Sequence, residues 1–212
     1  MRPQLNGGTL AGLPMQLPEK IFLVDRSGPL VRAWSEAFAS FENVLPERRD
    51  YFERDADAMV SPANSFGIMD GGLDAGIRDN LGFGIQERVQ AMIRSRFHGE
   101  MPVGVACIIE SGSDRWPLLV VAPTMRVPEP VGSTLNAYLA FRATLLAVRE
   151  YNSERSSPIR SLIAPGFATG YGAMDPRRCA AQMRIAFNQV LGSPEAPSFQ
   201  SIHRIHELLR SS

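Results

Sequence analysis

Several features are scarce in this chain, and each scarcity removes a class of explanation. Only two cysteines occur, Cys107 and Cys179. They sit in an apolar β-like run and on an expected helix, so they read as buried thiols, and a disulfide framework is excluded. Three histidines, His98, His203 and His206, have no cysteine or carboxylate partners at ligand spacing, so no metal site is expected. Charge of one sign is not in excess: 22 basic and 22 acidic residues cancel, which gives nucleic acid no electrostatic support. Long apolar runs are missing too. The longest, residues 117–123, is far too short to cross a bilayer, and the N-terminus lacks the apolar core of a secretory signal. A cytoplasmic protein with no membrane partner is expected. Neither glycine-rich loop ends in Gly-Lys-Ser/Thr, so the P-loop is absent. No nucleophile elbow with a partnered histidine marks a serine or cysteine hydrolase.

What is present suits a folded chain with one sizeable core: 212 residues, 44% hydrophobic and 21% charged. Residues 1–18 carry glycine and proline without periodicity and read as a loose arm, leaving 19–212 as one domain. Short apolar runs at 20–25, 42–45, 58–61, 103–110, 118–122 and 161–164 read as strands. Helices are expected after Pro29, where Leu30, Trp34, Ala37, Phe38 and Phe41 recur at helical spacing with Trp34 in the core. Others are expected over 73–97, interrupted by Gly82 and Gly84, and from a Ser133 or Thr134 cap to Glu150. Another follows Asp175 and Pro176, and a weaker one spans 198–209. Buried strands alternating with helices predict a three-layer α/β/α sandwich on a mixed, mainly parallel sheet.

Residues 57–74 are the most informative segment. A buried strand runs into a polar loop, the pair Gly71 and Gly72, and the first turn of a helix. That order surrounds one small space with backbone N–H groups, the Asn64 carboxamide and the Asp74 carboxylate. Helix-start amides favour an anion, and glycines let the chain approach it closely. An ordinary strand-to-helix connection is the plain alternative. A second loop, residues 165–174, has the same placement. Gly166, Gly170 and Gly172 leave its amides room, Thr169 adds a hydroxyl and Tyr171 an aromatic face. Two such loops on the carboxyl edge of a sheet could clamp a diphosphate between them. The second loop spaces its glycines GxxxGxG where the dinucleotide fingerprint is GxGxxG. No acidic residue follows to take a ribose, so a nicotinamide enzyme is the weaker reading.

Val60-Ser61-Pro62-Ala63-Asn64, followed by Asp70-Gly71-Gly72-Leu73-Asp74, resembles the signature of the macro domain family, in which a strand ends in Val-Asn-Ala-Ala-Asn before a glycine run. Residues 165–170 resemble that family's second phosphate loop, and the likeness spans about residues 20–191. The Ser-Pro variant resembles a bacterial and phage branch. The resemblance implies a macro-domain-like fold that takes ADP-ribose as ligand, with no cofactor and no metal. Its partners would be free ADP-ribose or an ADP-ribosylated protein or small molecule. Asp50, fourteen residues before Asn64, would accept from the adenine amino group, and Asn64 would bond the proximal ribose. Gly71, Gly72 and Leu73 would line one side of the diphosphate, and Ala168, Thr169, Gly170 and Tyr171 the other, with Ala63, Asp70 and Gly166 among the ligand-binding residues. Asp74, ten residues after Asn64, stands where the hydrolytic members carry an acid that activates water. Asp74 and Asn64 are thus the candidate catalytic pair, for hydrolysis of ADP-ribosyl esters on proteins or on O-acetyl-ADP-ribose. The chain departs from the family at three places: Ser61 replaces the first Asn, Asp70 replaces a leading Gly, and Gly172 stands where an aromatic is common. A non-catalytic ADP-ribose reader and a phage-associated structural protein with a degenerate site therefore stay open as alternatives.

Overall fold

The computed structural model describes residues 17–193, 196 and 198–211. Residues 1–16 of the expected arm lie outside the described residues, while Leu17 packs against the core. The chain runs through β1 (Lys20–Asp25), α1 (Gly28–Ala37), β2 (Val44–Arg48), a single 3-10 turn (Tyr51–Glu53) and β3 (Ala58–Ser61). It continues through α2 (Gly72–Leu81), α3 (Gly84–Phe97), β4 (Cys107–Glu110) and β5 (Leu118–Val121). The last elements are α4 (Asn136–Glu154), β6 (Ser161–Ala164), α5 (Pro176–Leu191) and α6 (Phe199–Ser211).

The six strands form one sheet in the order β2-β1-β6-β3-β5-β4, parallel throughout except that β4 runs antiparallel to β5. Side chains alternate across it, as the two-residue repeat of a strand requires. Ile21, Leu23, Ala58, Val60, Val120, Leu162 and Ala164 enter one apolar layer with residues of α1, α4 and α5, including Trp34. Phe22, Val24, Met59, Leu119, Val121 and Ile163 enter the other, with Ile77 of α2 and Ile85, Val89 and Ile93 of α3. Because both faces are covered, the strands read as unbroken apolar runs. The three-layer arrangement with a mixed, mainly parallel sheet is the one expected.

Some boundaries differ from expectation for identifiable reasons. β2 begins at Val44 and continues through Pro46 to Arg48, two residues later than the composition implied. Its register against β1, Ile21↔Val44 to Asp25↔Arg48, recruits charged residues that read as a connection. Pro46 is tolerated because β2 is an edge strand. β4 starts only at Cys107, where pairing with Val121 begins. Gly82 separates α2 from α3 with φ +87°, whereas Gly84, expected to break the helix, is the first residue of α3. α4 runs on to Glu154. Both cysteines are buried, and burial pushes the Cys179 thiol up to about 12, so it carries no thiolate at neutral pH. No helix among the described residues is long and apolar enough to cross a membrane.

Candidate functional site

Five parallel strands end on one edge, and the segments that leave them build a single cleft of about 820 Å³. Asp25 closes β1, Arg26 and Ser27 follow it, and Asp50 and Phe52 follow β2. Pro62 to Asn64 follow β3, Thr124, Met125 and Pro128 follow β5, and residues between Pro165 and Gly172 follow β6. β4, the antiparallel strand, ends elsewhere and contributes nothing to the lining. The cleft therefore lies beyond the carboxyl ends of the sheet, where open α/β folds take ligands.

All thirteen residues singled out in the sequence line this cleft: Asp50, Ala63, Asn64, Asp70, Gly71, Gly72, Leu73, Asp74, Gly166, Ala168, Thr169, Gly170 and Tyr171. The two glycine-bearing loops face one another across it. A Cβ built on Gly71 would lie 3.9 Å from the ring of Tyr171, whose side chain is otherwise largely exposed. Gly71 is the N-cap of α2 and supplies no side chain to satisfy the first amides of that helix. Those amides are the orphan donors of a helix start, and here they border the cleft. Gly72 has φ +57°, a left-handed conformation that admits glycine without strain.

The β3 loop is braced from within. The Asn64 carboxamide donates to the carbonyl of Ile68 at 2.7 Å and accepts from the amides of Phe66 (3.1 Å) and Ile68 (3.3 Å). The side chain expected to reach a ribose thus also shapes its own loop, with a second amide N–H left to offer. Asn64 further bridges Met125 in parallel fashion, which extends the β3–β5 pairing into the site.

The β6 loop is wound tightly. Ala168 (φ +62°) and Ala173 (φ +50°) are left-handed without being glycine, a conformation costing about 1 kcal/mol or more each. The surrounding bonds hold it: Met174 N–H to the Ala168 carbonyl (2.9 Å), Ala173 N–H to that of Gly170 (3.0 Å), and Val131 N–H to that of Gly172 (2.8 Å). The last bond ties the long segment after β5 to the loop. Gly172 is required by proximity, since a Cβ there would meet the Ala168 carbonyl oxygen at 2.5 Å and Val131 at 2.8 Å.

Two carboxylates stand at opposite characters of environment. Asp50 accepts from the Phe52 amide at 3.1 Å and is ion-paired with Arg26. The amide above all, with the guanidinium behind it, holds its carboxyl below the ordinary range against an opposing effect of burial. Asp74, in the first turn of α2, is only 8% exposed. Burial pushes its carboxyl from the ordinary 3.8 to about 6, opposed by one hydrogen bond from the Ser61 hydroxyl at 2.6 Å. Near neutral pH this is an ionised carboxylate poised to take a proton, as a general base needs. The cleft also lines Asp25 and Asp70 against the single cation Arg26, so its side chains are net negative. Any phosphate held there would rely on backbone N–H groups.

Arg26, Phe52, Thr124, Met125 and Pro128 line the cleft without having been singled out. Only a polar residue closing β1 hinted at the first. The others arrive because β2 and β5 run parallel to β3, which no local pattern reveals. Among the described residues, no group of three or more His, Cys, Asp or Glu could hold a metal ion.

A family model, that of the Macro domain, matches residues 60–183, more than half of the chain. An uncharacterized protein of Aeropyrum pernix is 31% identical over 137 residues, which is 65% of this chain and 66% of that protein. The chain thus spans about two thirds of that relative. Among solved structures, the macrodomain of Mycobacterium tuberculosis DarG superposes with a TM-score of 0.56 at 18% identity, covering 67% of this chain and 88% of that one. A point mutant of the Oceanobacillus iheyensis macrodomain, solved with ADPR, gives the same TM-score and identity over 76% of this chain and 89% of that one.

Proposed function

This chain belongs to the macro domain family, and on that footing we propose that it binds ADP-ribose in the cleft and hydrolyses ADP-ribosyl esters there, with Asp74 as general base. One observation carries the reading: the two glycine-bearing loops border the same cleft from opposite sides, with a net of backbone donors between two differently tuned carboxylates. The cleft volume of about 820 Å³ suits a ligand with two sugars and a diphosphate, since pockets for such molecules span about 300–1,000 Å³. Asp50 takes the adenine amino group at one end. The α2 amides, with Gly71, Gly72 and Leu73, take the diphosphate from one side, and Gly166, Ala168, Thr169 and Gly170 flank it from the other. Tyr171 covers the distal ribose, and Asn64, beside Ala63, bonds the proximal one.

Asp74 removes a proton from water as the water oxygen bonds to the anomeric carbon. The bond from that carbon to the acyl oxygen breaks, and the acyl group departs as a carboxylate. The Asp74 carboxylate, ionised above about pH 6, holds the proton until it passes to solvent. The substrate is an ADP-ribosylated protein side chain or a small ester of ADP-ribose, and the setting is the cytoplasm. A pure reader is the second reading, favoured by the engagement of Asp74 with Ser61 and by Asp70 beside the diphosphate loop.

Calorimetry with ADP-ribose on the wild-type chain tests binding, and absence of heat at millimolar ligand ends both readings. Mass spectrometry of a glutamate-ADP-ribosylated protein after incubation separates them. Loss of the modification with wild type but not with Asp74→Asn supports hydrolysis, whereas an unchanged modification in the presence of measurable binding supports the reader.

A further inference from the structure

Ser61 is the last residue of β3 and one of the few fully buried polar side chains outside the cleft lining. Its backbone is locked, because it pairs with Val121 and its carbonyl accepts from the Ala122 amide at 3.0 Å. Asp74 sits on the first turn of α2, which Gly72 opens, and the loop between them carries Asn64 and Gly71. The 2.6 Å bond from the Ser61 hydroxyl to Oδ1 of Asp74 therefore joins two rigid elements across the whole diphosphate loop.

We propose that Ser61 is the positioning residue of this site: its hydroxyl fixes the Asp74 carboxylate at the cleft wall and keeps the charged form available at neutral pH. An ionised carboxylate only accepts, so the direction of the bond is determined and the Ser61 hydroxyl proton points at Asp74. That leaves Oδ2 outside this bond for the cleft. It also excludes Ser61 as a nucleophile, since its oxygen is buried and does not border the cleft. Burial disfavours the Asp74 charge and the Ser61 bond favours it, so the bond acts against the larger effect. The other titratable neighbour is the Tyr51 phenol of the 3-10 turn, itself held protonated by burial. The remaining charged groups of the cleft are Asp25, Arg26, Asp50 and Asp70. Of these groups, only the Ser61 hydroxyl donates a hydrogen bond to Asp74. The departure of the chain from the family signature at this position is thereby given a use: a short donor on a rigid strand, matched to the acid on the following helix.

The kinetic half of this inference rests on Asp74 acting as base, and the titration half does not. Carbon-13 NMR of the Asp74 carboxyl, assigned with Asp74→Asn, reads its midpoint directly in the full chain. Ser61→Ala is expected to raise that midpoint by about one pH unit, and Ser61→Thr to leave it near wild type. In hydrolysis of a glutamate-ADP-ribosylated peptide, Ser61→Ala is expected to lower kcat about tenfold at pH 7 with KM unchanged. The acid limb of its pH profile moves up with the midpoint, and Ser61→Thr restores both. An unmoved midpoint in Ser61→Ala, or equal losses in the Ala and Thr variants, overturns the proposal. If wild type shows no turnover, the hydrolase reading fails while the titration still decides the role of Ser61. If Ser61→Ala does not fold, Ser61→Cys replaces it: a midpoint above that of Ser61→Thr supports the proposal, and equal midpoints overturn it.

Discussion

The phenol oxygen of Tyr51 lies 2.9 Å from the carbonyl oxygen of Ile163 and 2.8 Å from that of Val60, and it accepts from the Val60 amide at 2.9 Å. It stands where β3 and β6 cease to pair, since their register includes only Ala58↔Leu162 and Met59↔Ile163. One hydroxyl thus accepts from the Val60 amide and shares its single proton between two carbonyls where the two strands diverge, beside the cleft that the β3 and β6 loops border.

Tyr51→Phe leaves the Val60 amide and a carbonyl buried without this partner. The expected cost is about 1–3 kcal/mol in urea unfolding, with weaker ADP-ribose binding by calorimetry. Unchanged stability would show that the strands close over the gap unaided.

Asp74 links the site to stability in a definite direction. Its folded-state pKa, about 6, lies above the ordinary 3.8, so the folded state holds the proton more tightly. Stability contributed by this group is complete below about pH 3.8 and is lost as pH rises through about 6, by about 3 kcal/mol in total. Asp74→Asn is therefore expected to unfold at higher urea than wild type at pH 8, with little difference at pH 4. A variant no more stable than wild type at pH 8 would contradict the burial penalty.

Asp70 immediately precedes Gly71 and Gly72 within a cleft whose side chains are net negative. Asp70→Asn is expected to tighten ADP-ribose binding about threefold at low salt, and the gain should shrink as ionic strength rises. Calorimetry at two salt concentrations checks this, and a salt-independent effect would point to shape in place of charge.

Gly172→Ala places a methyl group against the Ala168 carbonyl and Val131. The loop must shift, and ADP-ribose affinity is expected to fall about tenfold or more with a stability loss of about 1–3 kcal/mol by thermal unfolding. Retained affinity would show that the β6 loop does not hold the ligand.

Local chemistry was readable wherever one residue decides an outcome. Asp175 caps α5 by accepting from the amides of Arg177 and Arg178, and Pro176 opens that helix, both as expected. β1, β3 and β6 begin and end where their apolar runs do. β2 was displaced because its extent depends on a neighbour in the sheet and not on its own residues. The same holds for Arg26, Phe52, Thr124 and Pro128, which enter the cleft from connections that carry no glycine signal.

The order of apolar runs, glycine pairs and caps, all short-range matters of backbone freedom and hydrogen bonding, was enough to determine a layered α/β chain and two facing loops. Only folding in three dimensions could bring five strand ends to one edge, bury Asp74 against Ser61, and part β3 from β6 around Tyr51. Those arrangements depend on burial and on long-range strand register, which exist only once distant segments share a core.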